Sequence, residues 1–375
     1  MIHKDYDSFN RLFFITQHIK PIYKLLVKIH QTDLFPYTQV DYAINLNNEH
    51  IFEREYYNIN YFSVKTVDTL GNALQAQLGE LLFFDPVLSG NNKRACASCH
   101  KPELAFTDGF KKGVSFEKEN LDRNTPTLLN TIFQKNFFYD GRARQLEQQA
   151  NDVLHNQKEM NSTIEDMINR LNESDEYKSL FKGTADTNIN YYGILKAITE
   201  YEKTLVSMNS RFDQYIKGDY KQLNKQEING YNLFSGKALC GSCHFFPLFN
   251  GLVPPIYNDT EYEVIGVPEQ SDSKQIDKDK GRVVVSRVHI HEHAFKTPSI
   301  RNVNLTAPYM HNGAYQTLED VLDFYNKGGG QGIGIDIPNQ TLPFDSLQLT
   351  PKEIKDIKSF MLSLTDTVSY NKKPK

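Results

Sequence analysis

All four cysteines of this chain stand in two copies of one pattern, RACASCH at 94–100 and LCGSCH at 239–244. Each copy spaces two thiols three residues apart and sets a histidine directly after the second. Four chemistries compete for such a pair. A disulfide framework suits small secreted chains dense in cysteine, not 375 residues holding four. A thioredoxin-like dithiol belongs in a βαβ unit, and neither copy has that context. Zinc could use two cysteine pairs but needs no histidine directly after each. Covalent attachment of c-type haem uses all three residues: both thiols add to haem vinyl groups, and the histidine becomes the proximal iron ligand. Two copies that exhaust the cysteines favour this reading over zinc or redox chemistry. The expected attachment groups are Cys96, Cys99 and His100 for one haem, and Cys240, Cys243 and His244 for the other.

The surroundings of the two copies also match. LGELLFFDPVLSG (78–90) and INGYNLFSG (228–236) each read as an apolar-spaced helix ending at a glycine before the pentapeptide. Downstream, residues 124–148 align without gaps on 296–320 at a separation of 172. Thr125 and Pro126 fall on Thr297 and Pro298, Asn130 on Asn302, Gly141 on Gly313, and Leu146 and Glu147 on Leu318 and Glu319. An internal repeat of this kind predicts a mainly α fold of two tandem cytochrome c-like haem domains. We divide the chain into an N-terminal helical extension (1–70), a first haem domain (71–222) and a second (223–375). In the extension, 9–30 reads as two amphipathic helices broken at Pro21 and packed on the first domain. His3, His18, His30 and His50 lie there and are read as solvated or capping residues.

With a net charge of −4 and no long basic run, the sequence offers nucleic acid no electrostatic footing. The longest early apolar run, Leu12–Ile15, is too short to span a bilayer or to act as an export signal. Haem attachment takes place outside the bacterial cytoplasm, so a periplasmic or other extracytoplasmic location is expected. Export then needs either a preceding segment or an unusual route.

The run LLFFDPVLSG…CASCH…AFTDG…RNTPTLLN…FFYDGRA…LEQQA, then CGSCH…FKTPSIRNVNLTAPYMHNG…TLEDVLDFYNKG, resembles the bacterial dihaem cytochrome c peroxidases and their MauG-like branch, over about residues 75–330. The resemblance implies an enzyme that reduces hydrogen peroxide at the N-terminal haem. Electrons would come through the C-terminal haem from a small cytochrome c or cupredoxin, with calcium between the domains and a homodimer allowed. Two other readings are MauG-like oxidation of a protein substrate, and a dihaem electron carrier or redox sensor that is not an enzyme.

The resemblance also assigns residues. In the MauG-like branch a tyrosine is the distal ligand of the C-terminal haem, matching Tyr325. The repeat puts Val153, which cannot ligate iron, at the equivalent place in the first domain. Met310 is the second candidate for that ligand, and a core tyrosine is the plain alternative for Tyr325. The loop 111–123, where some members carry a blocking histidine, has none. The family's distal glutamate matches Glu159, a proton carrier for peroxide cleavage; its plain alternative is a helix-start residue ahead of NSTIED. The distal glutamine matches Gln149, while Val153 and Gln157 replace two family prolines. Tyr139 stands where the family carries a tryptophan between the haems. Calcium would be held by Asn124, Thr306 and Pro308, the last two through backbone carbonyls. Arg142, Arg144 and Arg301 are candidate partners of haem propionates, and His311 is a neighbour of the second haem. The HIHEH run (289–293) reads as a solvated loop rather than a metal site.

Overall fold

A computed structural model describes residues 6–32, 42–50, 53–62, 69–184 and 187–366; His3 lies outside these. Ten helices of seven residues or more dominate the described part: α1 (Lys20–Thr32), α2 (Thr69–Phe84), α3 (Leu146–His155), α4 (Ile164–Glu173), α5 (Asp175–Lys182), α6 (Tyr191–Glu202), α7 (Arg211–Lys217), α8 (Lys225–Phe234), α9 (Leu318–Asn326) and α10 (Pro351–Ser363). The described sheet is one two-stranded antiparallel pair, Tyr262–Glu263 with Phe295–Lys296.

The helices begin where their caps dictate. Asn224 and Glu227 form a reciprocal capping box at α8, as do Thr350 and Glu353 at α10, where Pro351 takes the first turn. Thr317 caps α9 by accepting from the Asp320 N–H. Each half is organised by one close helix crossing. In the first, Gly79 of α2 meets α6, where an added Cβ would stand 1.8 Å from the Ala197 carbonyl oxygen. In the second, Gly230 of α8 meets α10, with a Cβ 1.9 Å from the Asp356 carbonyl oxygen. Around the first crossing Leu78, Leu82, Ala197 and Ile198 are buried, and around the second Tyr231, Phe234, Ile357 and Phe360. The predicted helix before each pentapeptide exists. α2 stops at Phe84, short of Gly90, because Asp85 caps a new 3-10 turn that opens with Pro86.

The repeat is legible in the backbone. Asn130 and Asn302 are both left-handed, with φ of 61° and 60°; so are Phe138 and Met310, at 63° and 74°, and Gly141 and Gly313, at 68° and 65°. Bridges Phe137–Ala143 and Tyr309–Tyr315 keep the same separation, and α3 and α9 start at the matched leucines. The two asparagines converge on buried Ser207: Asn130 exchanges hydrogen bonds with its backbone, and Asn302 Nδ2 donates to its hydroxyl at 2.8 Å.

The N-terminal extension departs from expectation twice. The helix is not broken at Pro21. Arg11–Phe14 runs through a π turn, Ile15–Ile19, into α1, and the wider turn accommodates a residue with no N–H to donate. It also packs across the boundary drawn at residue 222, not on the first domain alone. Leu12 and Ile15 join the cluster of Phe212, Phe234 and Phe360, and Lys20 Nζ donates to the Ile216 and Lys217 carbonyls. Its far face leaves Ile22, Leu25, Leu26 and Ile29 exposed. His18 packs against the rings of Phe13 and Phe14, and His50 is exposed.

Candidate active site

One cavity of about 1070 Å3 lies between the two halves and is walled by both. All of Cys96, Cys99, His100, Cys240, Cys243 and His244 line it. Each pair sits on a 3-10 turn, Cys96–Ser98 or Cys240–Ser242, closed by the following histidine: the His100 N–H donates to the Cys96 carbonyl at 2.9 Å and that of His244 to Cys240 at 3.0 Å. Burial pushes the thiols of Cys96, Cys240 and Cys243 up to about 12, so they stay protonated.

The two imidazoles are held alike. His100 Nδ1 lies 2.9 Å from the Phe106 carbonyl and faces that of Pro126. His244 Nδ1 lies 3.0 Å from the carbonyl of Pro298, the repeat partner of Pro126. A carbonyl oxygen only accepts, so Nδ1 carries the proton and Nε2 keeps its lone pair. Burial lowers both pKa values, that of His244 to about 4, so each ring is neutral and competent to bind a metal. Among the described residues no three His, Cys, Asp or Glu side chains gather to hold an ion by themselves, as a zinc site would. The donor set fits a haem at each pentapeptide, which the histidine and the two thiols would hold.

On the first-half wall, α3 contributes Gln149 and Val153. The chain then turns back through 156–161, where the Met160 N–H donates to the Val153 carbonyl at 3.4 Å, and Glu159 joins the wall. Glu159 is not a helix-start residue, because α4 begins at Ile164 and is capped by Thr163. Its Oε2 accepts from Asn156 Nδ2 at 2.7 Å, and burial raises its carboxyl above the ordinary range. On the second-half wall Met310 and Tyr325 share one apolar cluster, and burial keeps the Tyr325 phenol protonated.

Between the halves the Tyr139 hydroxyl donates to Asn124 Oδ1 at 3.3 Å, while the Asn124 N–H donates to the His311 carbonyl at 2.7 Å. Thr306 and Pro308 line the same space, and among the described residues no hydrogen bond ends on either carbonyl. Oxygen donors from both halves are thus available to a hard cation.

The arginine expectations need correction. Arg301 is buried and bidentate to Asp213, at 2.9 and 2.8 Å, and does not line the cavity; nor does exposed Arg144. Arg142 does line it. Sequence reasoning missed Arg123, which reaches Asp140 at 2.7 Å and Asp279 at 2.6 Å and so ties the halves together. Its signal was its place directly before Asn124. It also missed Lys296, the repeat counterpart of Asn124, whose half-buried side chain donates to Asn136 O at 2.9 Å and whose pKa desolvation lowers to about 8. His311 meets Asp277 at 3.2 Å and stacks on Phe295 at 3.6 Å. The HIHEH run forms a 3-10 turn over His289–His291, with His289 exposed.

These features suit a helical protein that holds two haems, and comparison with known proteins gives the class. The family model described as di-haem cytochrome c peroxidase matches residues 73–221. Cytochrome-c peroxidase IdrP2 of Denitromonas iodatirespirans is 36% identical over 281 residues, covering 70% of this chain and 76% of that protein. Methylamine utilization protein MauG of Methylorubrum extorquens is 32% identical over 289 residues, covering 76% and 77%. A solved MauG-like protein associated with microbial copper homeostasis superposes with a TM-score of 0.71 at 25% identity, over 80% of this chain and 91% of that one. The chain belongs to the di-haem cytochrome c peroxidase family. Its fold is that of tandem cytochrome c-like domains, and it is an oxidoreductase of the cytochrome-c peroxidase type. No helix among the described residues is long and apolar enough to cross a membrane.

Proposed function

We propose that the chain carries two covalently attached c haems, on Cys96, Cys99 and His100 and on Cys240, Cys243 and His244, and reduces hydrogen peroxide to water at the first. The halves would divide near residue 222. The observation that carries this reading is the repeat itself: α3 and α9 present Val153 and Tyr325 at equivalent positions of one shared cavity. The apolar Val153 would leave room for peroxide beside the first haem, and the Tyr325 phenol would serve as a further ligand to the second. When bound, the haems supply the irons that pass electrons one at a time. Glu159 carries a proton from one peroxide oxygen to the other, and Gln149 helps to orient the peroxide. Tyr139 relays electrons between the halves, and a calcium ion held by Asn124 and the Thr306 and Pro308 carbonyls clamps them. Electrons would arrive from a small cytochrome or cupredoxin outside the cytoplasm.

An electron paramagnetic resonance spectrum of the oxidised, haem-loaded protein tests the reading. We expect one high-spin signal that cyanide converts and one low-spin signal that it does not. Two low-spin signals without peroxide turnover would replace the enzyme with an electron carrier.

A further inference from the structure

Several ionisable side chains of the cavity are not used by the reading above, and among them Glu202 is buried with an unpartnered oxygen. Glu202 ends α6, is 4% exposed and lines the cavity beside Cys96. Its Oε2 is buried with no hydrogen-bond partner among the described residues. A buried carboxylate without a donor costs several kcal/mol to keep charged, so such a group is held either for a ligand or as a neutral acid.

Its neighbours give the sign. From α3 comes Glu147, whose Oε1 accepts from Thr199 Oγ1 at 3.3 Å. From the first 3-10 turn comes the Cys96 thiol, itself pushed up in pKa by burial and then by Glu202. On α6 itself stands Tyr201, which also feels Glu80 of α2. The adjacent cation, Lys203, is bound to Glu200 at 2.7 Å. Every group facing Glu202 is thus acidic or neutral. Burial first, and Glu147 second, raise its carboxyl to about 8. A porphyrin attached at Cys96 would dry the site further.

We infer that Glu202 is a proton-accepting group at the edge of the first haem, taking up one proton from solvent when that haem gains one electron from the donor. The inference rests on the proposed attachment at Cys96. The balance is one electron to iron and one proton to a carboxylate oxygen, forming one O–H bond and breaking none in the protein. An ionised Glu202 favours the oxidised haem; a protonated one does not. While the proton and electron move together, each pH unit changes the reduction equilibrium tenfold, which for one electron is about 59 mV.

The test is a spectroelectrochemical titration of the full haem-loaded chain from about pH 6 to about pH 10, following the high-spin haem. Wild type should show a falling potential with a break where Glu202 begins to ionise. Glu202→Gln should flatten the slope while haem content and cyanide binding stay unchanged. Should that variant load poorly, Glu147→Gln serves: removing the neighbouring carboxylate should move the break to lower pH. A slope unchanged in Glu202→Gln, or a break unmoved in Glu147→Gln, overturns the inference. Failure of the underlying reading is distinct, because it appears beforehand as a haem count other than two per chain.

Discussion

An amide oxygen cannot keep a proton, and Asn124 Oδ1 is what the Tyr139 hydroxyl meets. Burial also raises the phenol pKa, opposing loss of that proton. Electron exchange through Tyr139 should therefore be slowed by proton transfer and vary with pH. Tyr139→Trp should exchange faster and lose the pH dependence; stopped-flow rates equal to wild type across pH would reject the relay. Glu159→Gln should lower kcat/KM for peroxide by about 10²–10⁴-fold with the oxidised spectrum intact, and a loss below tenfold would remove Glu159 from proton transfer. At this scale short spacing makes candidates legible, such as the thiols and histidines of the pentapeptides, which the structure brings to one cavity. It does not disclose side chains committed by distant partners. Arg301 was expected near a propionate, yet Asp213, 88 residues away in sequence, holds it. Glu202 is distinctive only because nothing pairs with its buried oxygen.

The helix crossings are set by backbone contact, not by side-chain shape alone. At Gly79 a Cβ would collide with the Ala197 carbonyl, and no rotamer change relieves a clash with backbone. Gly79→Ala should destabilise the first half by about 1–3 kcal/mol, read as an earlier thermal transition. An unchanged midpoint would mean that the helices separate freely. Helix existence followed from apolar spacing and caps, which are local. Pro21 was misread because a π turn absorbs the missing hydrogen bond, and nothing in the composition signals that turn. The docking of Leu12 across the boundary drawn at residue 222 was equally invisible, since its pocket is built by residues about 200 or more positions later.

Across the molecule, ion pairs bind the halves and make them sensitive to acid. Burial pushes Asp279 upward, but hydrogen bonds and charge from Arg123 outweigh it and leave the net shift downward. Asp213 is likewise lowered, with Arg301 and Ser210 overcoming burial. A depressed folded pKa contributes stability that is present above the unfolded carboxylate value of about 4 and is lost as pH falls through the folded one. The thermal midpoint should therefore fall in acid, and Arg123→Met should lower it at neutral pH while making the acid loss shallower. An acid loss as steep as in wild type would exclude this pair as a source. Chelation of divalent cations should lower the midpoint and slow electron exchange, with calcium restoring both; no change would dismiss the proposed clamp at Asn124.

The shared cavity has a bearing on biogenesis. Walls contributed from residues some 200 positions apart can close only once both stretches of chain have come together, whereas thioether formation needs the thiols in reach of an enzyme. Under the proposed attachment, pigment insertion precedes final closure, making the prosthetic groups part of the template on which this polypeptide matures.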